Sequence, residues 1–450
     1  MHLTRCQRNE FGKCDHPLST LERIRDGFRR LGVDDINYND RGWGAWTSKG
    51  LYWGVAESLI LRTSTTGKGT SRLMSCVSAY AELAERFSTL YCFSHFDTVN
   101  LLYLVRNADA FRRYFAFSYL AGYQEAHQDE VASPVPLEDL LANERHLTQE
   151  DLEIIKRGEQ ARHWVDGFSL LHGRKVKIAP VMVRYLNGTN GIAAGNTIEE
   201  AIVHACCEVF ERYAQRKVIA RETVPTIDAQ TIENPELRAL LASFEQDGVR
   251  IILKDFSERG LLPCIGVLTV NNNIPKEHVE YRIIQIGSSF DPEEALMRCF
   301  TERVQGRLNY SPSDKFKDMC HTDPENVTDH YFFLTDRVTQ ADLSFLEEGE
   351  RVPFLKGERP GDCLEEVEAI KRICRRLGTD LVVVDHTHPV LRFPVVRVVM
   401  PGVSDAMVYY PNALRTRDKY LSLIESTCAY EKGILERMES FWAGAPGGLY

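Results

Sequence analysis

The sequence predicts an α+β fold in which mixed sheets are covered by a set of related helices, and three observations carry that expectation. Short apolar runs with strand character recur along the chain, at Val249–Asp255, Pro263–Val270, Tyr281–Ile286, Asp380–Asp385 and Pro394–Pro401. Helical patterns of period 3.6 are interleaved with them, at Leu21–Leu31, Glu236–Gln246 and Cys363–Leu377. One of these helical patterns occurs three times, each copy too short to bury a core alone, so the copies are expected to share one.

The repeat is clearest in GNTIEEAIVHACCEVFERYAQ, from Gly195 to Gln215. Upstream, GTSRLMSCVSAYAELAERFS starts at Gly69; downstream, SSFDPEEALMRCFTERVQGRL starts at Ser288. Aligned without gaps, Glu82 matches Glu208 and Glu302, Glu85 matches Glu211 and Gln305, Arg86 matches Arg212, and Glu200 matches Glu294. The unequal spacing of three copies argues against a solenoid and for three similar helices converging on one site. In the first copy Ser78, Glu82, Glu85 and Arg86 fall at i, i+4, i+7 and i+8, one stripe of a helix. A single such stripe reads as a solvated face; three related copies, two with the same carboxylate pair and the third with Glu302 and Gln305, do not.

Composition bounds the rest. The chain has 450 residues, 44% hydrophobic and 26% charged, as expected of an ordinary globular protein. Its formal net charge of −10 disfavours DNA or RNA binding as the main task. No secretory signal and no membrane-length apolar run is seen, so a cytoplasmic protein without a membrane partner is expected. Twelve cysteines include no Cys-x-x-Cys pair. Most read as buried reduced thiols, while Cys6 and Cys14, in a polar segment, leave a metal or redox role open.

Residues 1–60 read as an N-terminal region, with a loop and short strand around Trp43, Trp46 and Trp53 and a buried strand at Glu57–Thr63. Ser64–Ser71 holds Gly67-Lys68-Gly69, either a plain turn or a tight loop around an anion ahead of a helix N-terminus; it is not a Walker A loop. Residues 97–170 read as a helical insertion, with patterns at Leu101–Phe117 and Leu147–Val165 flanking Ala132–Pro136. A strand is expected at Lys175–Leu186. Thr197 with Glu200, and Asp291 with Pro292 and Glu294, fit helix caps, so Glu200 and Glu294 are either capping groups or ligands. His204 shares a stripe with Glu208. His386 and His388 fall on one face of an expected strand, a weak metal pattern without a third ligand. Residues 411–450 read as a long helix, Arg417–Met438, and a Gly-rich tail.

Carboxylates clustered on several helices repel one another unless divalent cations compensate them, and Mg2+ takes oxygen ligands while bridging to phosphates. Lys68, Arg86, Arg212, Arg303 and Arg307 are available to balance phosphate charge, and Gln305 adds an amide. The residues alone therefore indicate a Mg2+–nucleotide site with neither a P-loop nor a protein-kinase signature.

The motifs also resemble a known family. Gly67-Lys68-Gly69 followed by Ser78, Glu82, Glu85 and Arg86 resembles the first signature of the YcaO superfamily; Asn196, Glu200, Glu208, Glu211 and Arg212 resemble the second; Gln305 with Arg303 or Arg307 resembles the third. The resemblance covers roughly residues 60–310 by motif and, more loosely, the strand near Val395–Gly402, and implies an ATP-binding domain over residues 61–410. It implies that all of these residues, with Lys68, contact ATP, and that Glu82, Glu85, Glu200, Glu208 and Glu211 hold Mg2+. It implies a YcaO-like fold and a homodimer that activates a backbone amide of a peptide or protein substrate by O-phosphorylation. The chain ends in APGGLY, unlike the Pro-rich tail common in azoline-forming members. It looks more like the stand-alone members that make thioamides with an external sulfur donor, often beside a TfuA-like partner protein. An azoline-forming cyclodehydratase, an accessory factor for ribosomal-protein methylthiolation and a non-catalytic ATP-binding scaffold are the alternatives, with an unrelated metal-dependent hydrolase behind them.

Overall fold

The computed structural model describes residues 1–42, 47–61, 63–89, 123–125, 133–141, 148–153, 163–179, 189–219, 221–258, 262–276, 281–305, 343–357 and 359–404. Arg307, Leu101–Phe117 and the expected helix and tail of residues 411–450 lie outside them.

Helix α1 (Pro17–Arg30) starts with Pro17 in its first turn, where the missing N–H costs nothing, and buries Leu21, Ile24 and Phe28. Strands β1 (Asn37–Asp40), β2 (Tyr52–Ser58) and β3 (Thr63–Gly69) form an antiparallel sheet in that order. Helix α2 (Arg72–Ser88) lies on this sheet and against α1, turning Ala79, Leu83 and Phe87 inward.

Next come β4 (Tyr123–Glu125), β5 (His163–Ser169), β6 (Arg174–Ile178) and β7 (Ile192–Ala194), then helix α3 (Ile198–Ile219). Strand β8 (Thr226–Asp228), helix α4 (Pro235–Gln246), β9 (Val249–Asp255), β10 (Cys264–Asn271), β11 (Arg282–Ser288), helix α5 (Pro292–Val304) and β12 (Arg351–Pro353) follow. Together β11-β10-β9-β8-β12 make a five-stranded sheet, antiparallel except for the β8–β12 pair. Helix α6 (Cys363–Leu377) follows, and β13 (Val382–Asp385) and β14 (Val395–Val399) complete a third, six-stranded sheet in the order β4-β5-β13-β14-β7 with β6 paired to β5. This is the expected α+β arrangement of sheets covered by helices.

Helix α3 is the hub. It packs on β7 and β14 of one sheet, on β10 and β11 of another, and against α6. Ala201, Ile202, Val203, Ala205, Cys206 and Val209 are all buried, as a helix clasped on several sides requires. Each of its larger aliphatic side chains contributes about 1.5–3 kcal/mol by leaving water. No helix among the described residues is long and apolar enough to cross a membrane.

Four local expectations are corrected. Glu57–Thr63 is not one strand: Asp35 accepts from Ser58 Oγ at 2.7 Å and from Ile60 N–H at 2.8 Å, which captures the chain in a turn between β2 and β3. Gly67-Lys68-Gly69 is the end of β3, not a loop. Its lysine reaches across to α5 rather than to the N-terminus of α2, where the cap Ser71 serves Met74 N–H. Residues 163–165, the end of the expected helix Leu147–Val165, lie in strand β5, and residues 97–170 also contain β4. His386 and His388 lie past the end of β13, where Asp385 accepts from Thr387 N–H at 2.9 Å; His388 Nδ1 accepts from Val390 and Leu391 N–H at 3.2 Å, a turn-capping role.

Candidate nucleotide site

The three sequence repeats are three strand-to-helix units: β3 into α2, β7 into α3, β11 into α5. The strand ends are glycine-bearing for a steric reason. A Cβ on Gly67 would come within 2.1 Å of Ser75 O in α2, and one on Gly287 within 2.3 Å of Ala295 O in α5. The missing side chains let each helix lie directly over the strand that feeds it. Ser71 and Asp291 then cap α2 and α5 through Met74 N–H and Glu293 N–H, and Thr197 Oγ1 accepts from Glu200 N–H at 3.2 Å to start α3.

These units bring the repeated carboxylates together. On α2, Arg86 donates to Glu85 at 2.7 Å and to Glu82 at 3.3 Å. Ser78, one turn before Glu82, is half-buried. On α3, Glu208 Oε2 accepts from Gly191 N–H at 3.0 Å, while Glu211 receives Arg298 of α5 at 3.4 Å and lies 3.9 Å from Arg212. On α5, Glu302 pairs with Lys68. Gln305, at the C-cap, receives Lys68 at 3.1 Å and donates to Thr66 Oγ1. The buried Arg303 sits one position round the helix, on the stripe of Leu296 and Cys299.

The electrostatics cross between helices. Burial, only partly offset by Arg86, and the charges of Glu208 and Glu82 together push the Glu85 carboxyl up to about 8. Burial also raises Glu82 against the pull of Arg86 and Lys68, with Glu302 adding to the rise. Glu211 is raised by burial against Arg298 and Arg212, with Glu302 and Glu208 contributing. Burial would raise Glu302 as well, but Lys68, then Arg212 and Arg298, hold it below the usual carboxylate range. A cluster whose members cannot all ionise in the bare protein, and whose donors are all oxygens, suits a hard divalent cation. Glu82, Glu85, Glu208 and Glu211 have the chemistry to hold Mg2+.

Glu200 has a more local part. Its Oε2 accepts from Asn196 N–H at 3.3 Å, Asn196 Nδ2 at 3.1 Å and Cys14 N–H at 3.1 Å. Its other oxygen makes no hydrogen bond among the described residues. Glu294, its counterpart on α5, accepts from Ser289 Oγ at 2.6 Å and pairs with Arg359. Despite burial, Arg359 and Lys13 hold its carboxyl at about 2. Among the described residues its surroundings are those of a fixed ion pair.

Four contributors escaped the motif reading. Arg298 occupies the stripe position between Glu294 and Glu302, and joins Glu211 to His204, 3.4 Å from its Nε2. Burial, with Arg298 and Lys13 nearby, keeps His204 neutral. The i+4 spacing of Glu294, Arg298 and Glu302 was the available signal. Thr20 of α1 donates to Asn196 Oδ1 at 2.8 Å, and Lys13 bears electrostatically on Glu294 and His204. No local pattern announces these two, or Arg359, because each arrives from a distant part of the chain.

A family model described as an ATP- and Mg2+-binding YcaO cyclodehydratase matches residues 66–404. The chain belongs to the YcaO family. ATP and Mg2+ are thus the cofactors of the family to which this YcaO chain belongs. It is 27% identical over 353 residues to the ribosomal protein S12 methylthiotransferase accessory factor YcaO of Escherichia coli K12, covering 76% of this chain and 57% of that protein. A protein from the tfuA 3′ region of Rhizobium leguminosarum bv. trifolii is 24% identical over 271 residues, 55% of this chain and 62% of that one. The structure of YcaO from Methanopyrus kandleri bound with AMPPCP and Mg2+ matches with a TM-score of 0.59 at 20% identity, over 90% of this chain and 95% of that chain, and shows the shared fold. The chain spans a little over half the length of the first curated relatives it matches.

Proposed function

We propose that this YcaO protein uses ATP and Mg2+ to O-phosphorylate a backbone amide of a peptide or protein, and that sulfur from an external donor replaces the departing phosphate to leave a thioamide. The observation that carries the reading is that carboxylates on three equivalent helices act on one another electrostatically, with burial and Glu208 and Glu82 raising Glu85 to about 8. Glu82, Glu85, Glu208 and Glu211 hold Mg2+, Glu200 orients Asn196 with one oxygen and offers the other, and Lys68, Arg86, Arg212 and Arg298 balance the triphosphate. Lys68 and Gln305 place their polar ends together where β3 meets α5, suited to a phosphate or a base edge. Ser78 and Arg303 complete the α2 and α5 sides, and Arg307 remains a candidate by motif.

Bound Mg2+ supplies neutralising charge to the phosphates. The chain's own residues contribute position and a preorganised field. The amide oxygen leaves as phosphate, which turns a poor leaving group into a good one, and ADP is the second product. The protein acts in the cytoplasm as a homodimer and draws on a separate partner for sulfur delivery. The tfuA-region relative supports that branch by its genomic setting. The accessory-factor description of the Escherichia coli relative favours a second reading, support of ribosomal-protein methylthiolation.

The test is mass spectrometry of the host proteome with and without the chain, together with ATP turnover on a backbone-18O peptide found that way. An oxygen-to-sulfur exchange with 18O appearing in inorganic phosphate is expected. Binding of ATP without any label transfer, in the presence of sulfide and partner, would favour the scaffold instead. A side-chain methylthio group with no backbone exchange would favour the accessory factor.

A further inference from the structure

Outside the nucleotide site, the sulfurs of Cys6, Cys14 and Cys363 all lie within 4.8 Å of one another. The other free cysteines among the described residues sit apart from this group: Cys206, Cys207 and Cys374 in one apolar cluster, Cys299 and Cys264 in others, and Cys76 against the α1–α2 core. The trio is assembled by the backbone. Cys363 N–H donates to Cys6 O at 2.9 Å and Arg8 N–H to Gly361 O at 3.1 Å, so the N-terminal segment lies along the start of α6. Gly12 N–H donates to Asn9 O at 2.9 Å, closing the turn that returns Cys14 to the same point. Cys6 and Cys14 form a disulfide, and Cys14 Sγ lies 3.3 Å from Cys363 Sγ.

A disulfide employs two of these sulfurs and leaves the third, fully buried on Cys363, without a chemical task. A cation employs all three. Tetrahedral zinc with bonds of about 2.3 Å spaces its thiolates by about 3.8 Å, a spread this cluster accommodates once the sulfur–sulfur bond is open. The charge balance is also present. Cys363 feels Arg8 and Arg359 on one side and Glu366 and Glu200 on the other, with the Arg8–Glu366 pair itself buried. Burial pushes the Cys363 thiol up to about 12, so it stays protonated until a metal displaces the proton.

We propose that reduced Cys6, Cys14 and Cys363 form a three-thiolate site for a thiophilic divalent cation of the zinc class, with a water in the fourth position. A dithiol reductant supplies two electrons and two protons to open the Cys6–Cys14 bond and becomes a disulfide itself; the entering cation then releases three thiol protons. Disulfide and metal are therefore mutually exclusive states of one clamp on the N-terminal segment. The clamp touches the nucleotide site, because Cys14 N–H donates to Glu200 Oε2 at 3.1 Å and Thr197 Oγ1 lies 4.0 Å from Cys14 Sγ. Fixing Cys14 fixes the start of α3.

The test is a titration of the dithiol-reduced full chain with Co2+ under anaerobic conditions, followed in the near ultraviolet. A thiolate-to-cobalt charge-transfer band saturating at one equivalent and abolished by Zn2+ is expected. Cys363→Ser is expected to weaken Co2+ binding at least tenfold and to lower the band, whereas Cys76→Ser leaves both unchanged. Cys6→Ser gives the same loss by a substitution in the N-terminal segment, should Cys363→Ser fail to fold. A folded, reduced chain with no such band, or an undiminished band in both Cys363→Ser and Cys6→Ser, overturns the proposal. The readout requires no nucleotide, so it is independent of the proposed activity.

Discussion

Mg2+ binding by this protein should release protons, and Glu85 sets the least amount expected. Without a cation its carboxyl sits at about 8, because burial and the charges of Glu208 and Glu82 outweigh the pull of Arg86 and, more weakly, Arg397. At pH 7 such a group is about nine-tenths protonated, at pH 8 about half and at pH 9 about one-tenth. A carboxylate must be ionised to bind a metal, so Mg2+ binding displaces about 0.9 proton from Glu85 at pH 7 and about 0.1 at pH 9, with any proton held by Glu82 or Glu211 adding to it. Apparent Mg2+ affinity should also climb by up to about tenfold per pH unit below pH 8, then level off. The stability effect has a definite sign. Between about 4.5 and 8 the unfolded chain has released this proton while the metal-free native chain retains it, so the metal-free protein loses stability as pH rises through that window. Calorimetric Mg2+ titrations in buffers of different ionisation enthalpy give the proton count as a slope. Zero slope at pH 7, or an equal slope at pH 7 and pH 9, would refute the reasoning.

Other perturbations probe the surrounding structure. Lys68→Met removes the cation that holds Glu302 ionised beside Gln305, and is expected to weaken nucleotide binding about tenfold to a hundredfold by calorimetry; unchanged affinity would leave Lys68 a purely structural residue. Gly67→Ala forces a methyl to within 2.1 Å of Ser75 O, so chemical denaturation should show a loss of at least about 1–3 kcal/mol, and a neutral result would mean that α2 shifts freely on β3. Burial pushes the Lys254 ammonium down to about 8, so the unfolding free energy should rise as pH increases from about 8 to 10.5, where the unfolded chain binds the extra proton. Lys254→Met should flatten that rise, and an identical profile in the variant would contradict the assignment.

The site was legible in the sequence wherever its residues share one helix. The i, i+3 and i+4 spacings of Glu82, Glu85 and Arg86, and of their counterparts, put each group on a single stripe, and the threefold recurrence made convergence of the helices the economical reading. Caps at Thr197 and Asp291 were legible for the same reason, being contacts between residues two or three apart. Gly67-Lys68-Gly69 misled because glycine serves equally in a turn and where a helix crowds a strand; only the presence of α2 above β3 decides between them. Lys13, Thr20, Arg359 and Cys363 were illegible as partners because their contacts join parts of the chain far apart in sequence. The turn after Ser58 depended on Asp35, a polar side chain more than twenty residues away.

Calorimetric titration of ATP in the presence of Mg2+, on wild type and on Glu208→Ala, tests the central claim most directly. Glu208 accepts from Gly191 N–H, its charge acts on Glu85 of α2, and both are proposed Mg2+ ligands. Saturable, Mg2+-dependent binding by wild type is expected to disappear in a variant of unchanged circular dichroism. Equal binding by wild type and Glu208→Ala would contradict it.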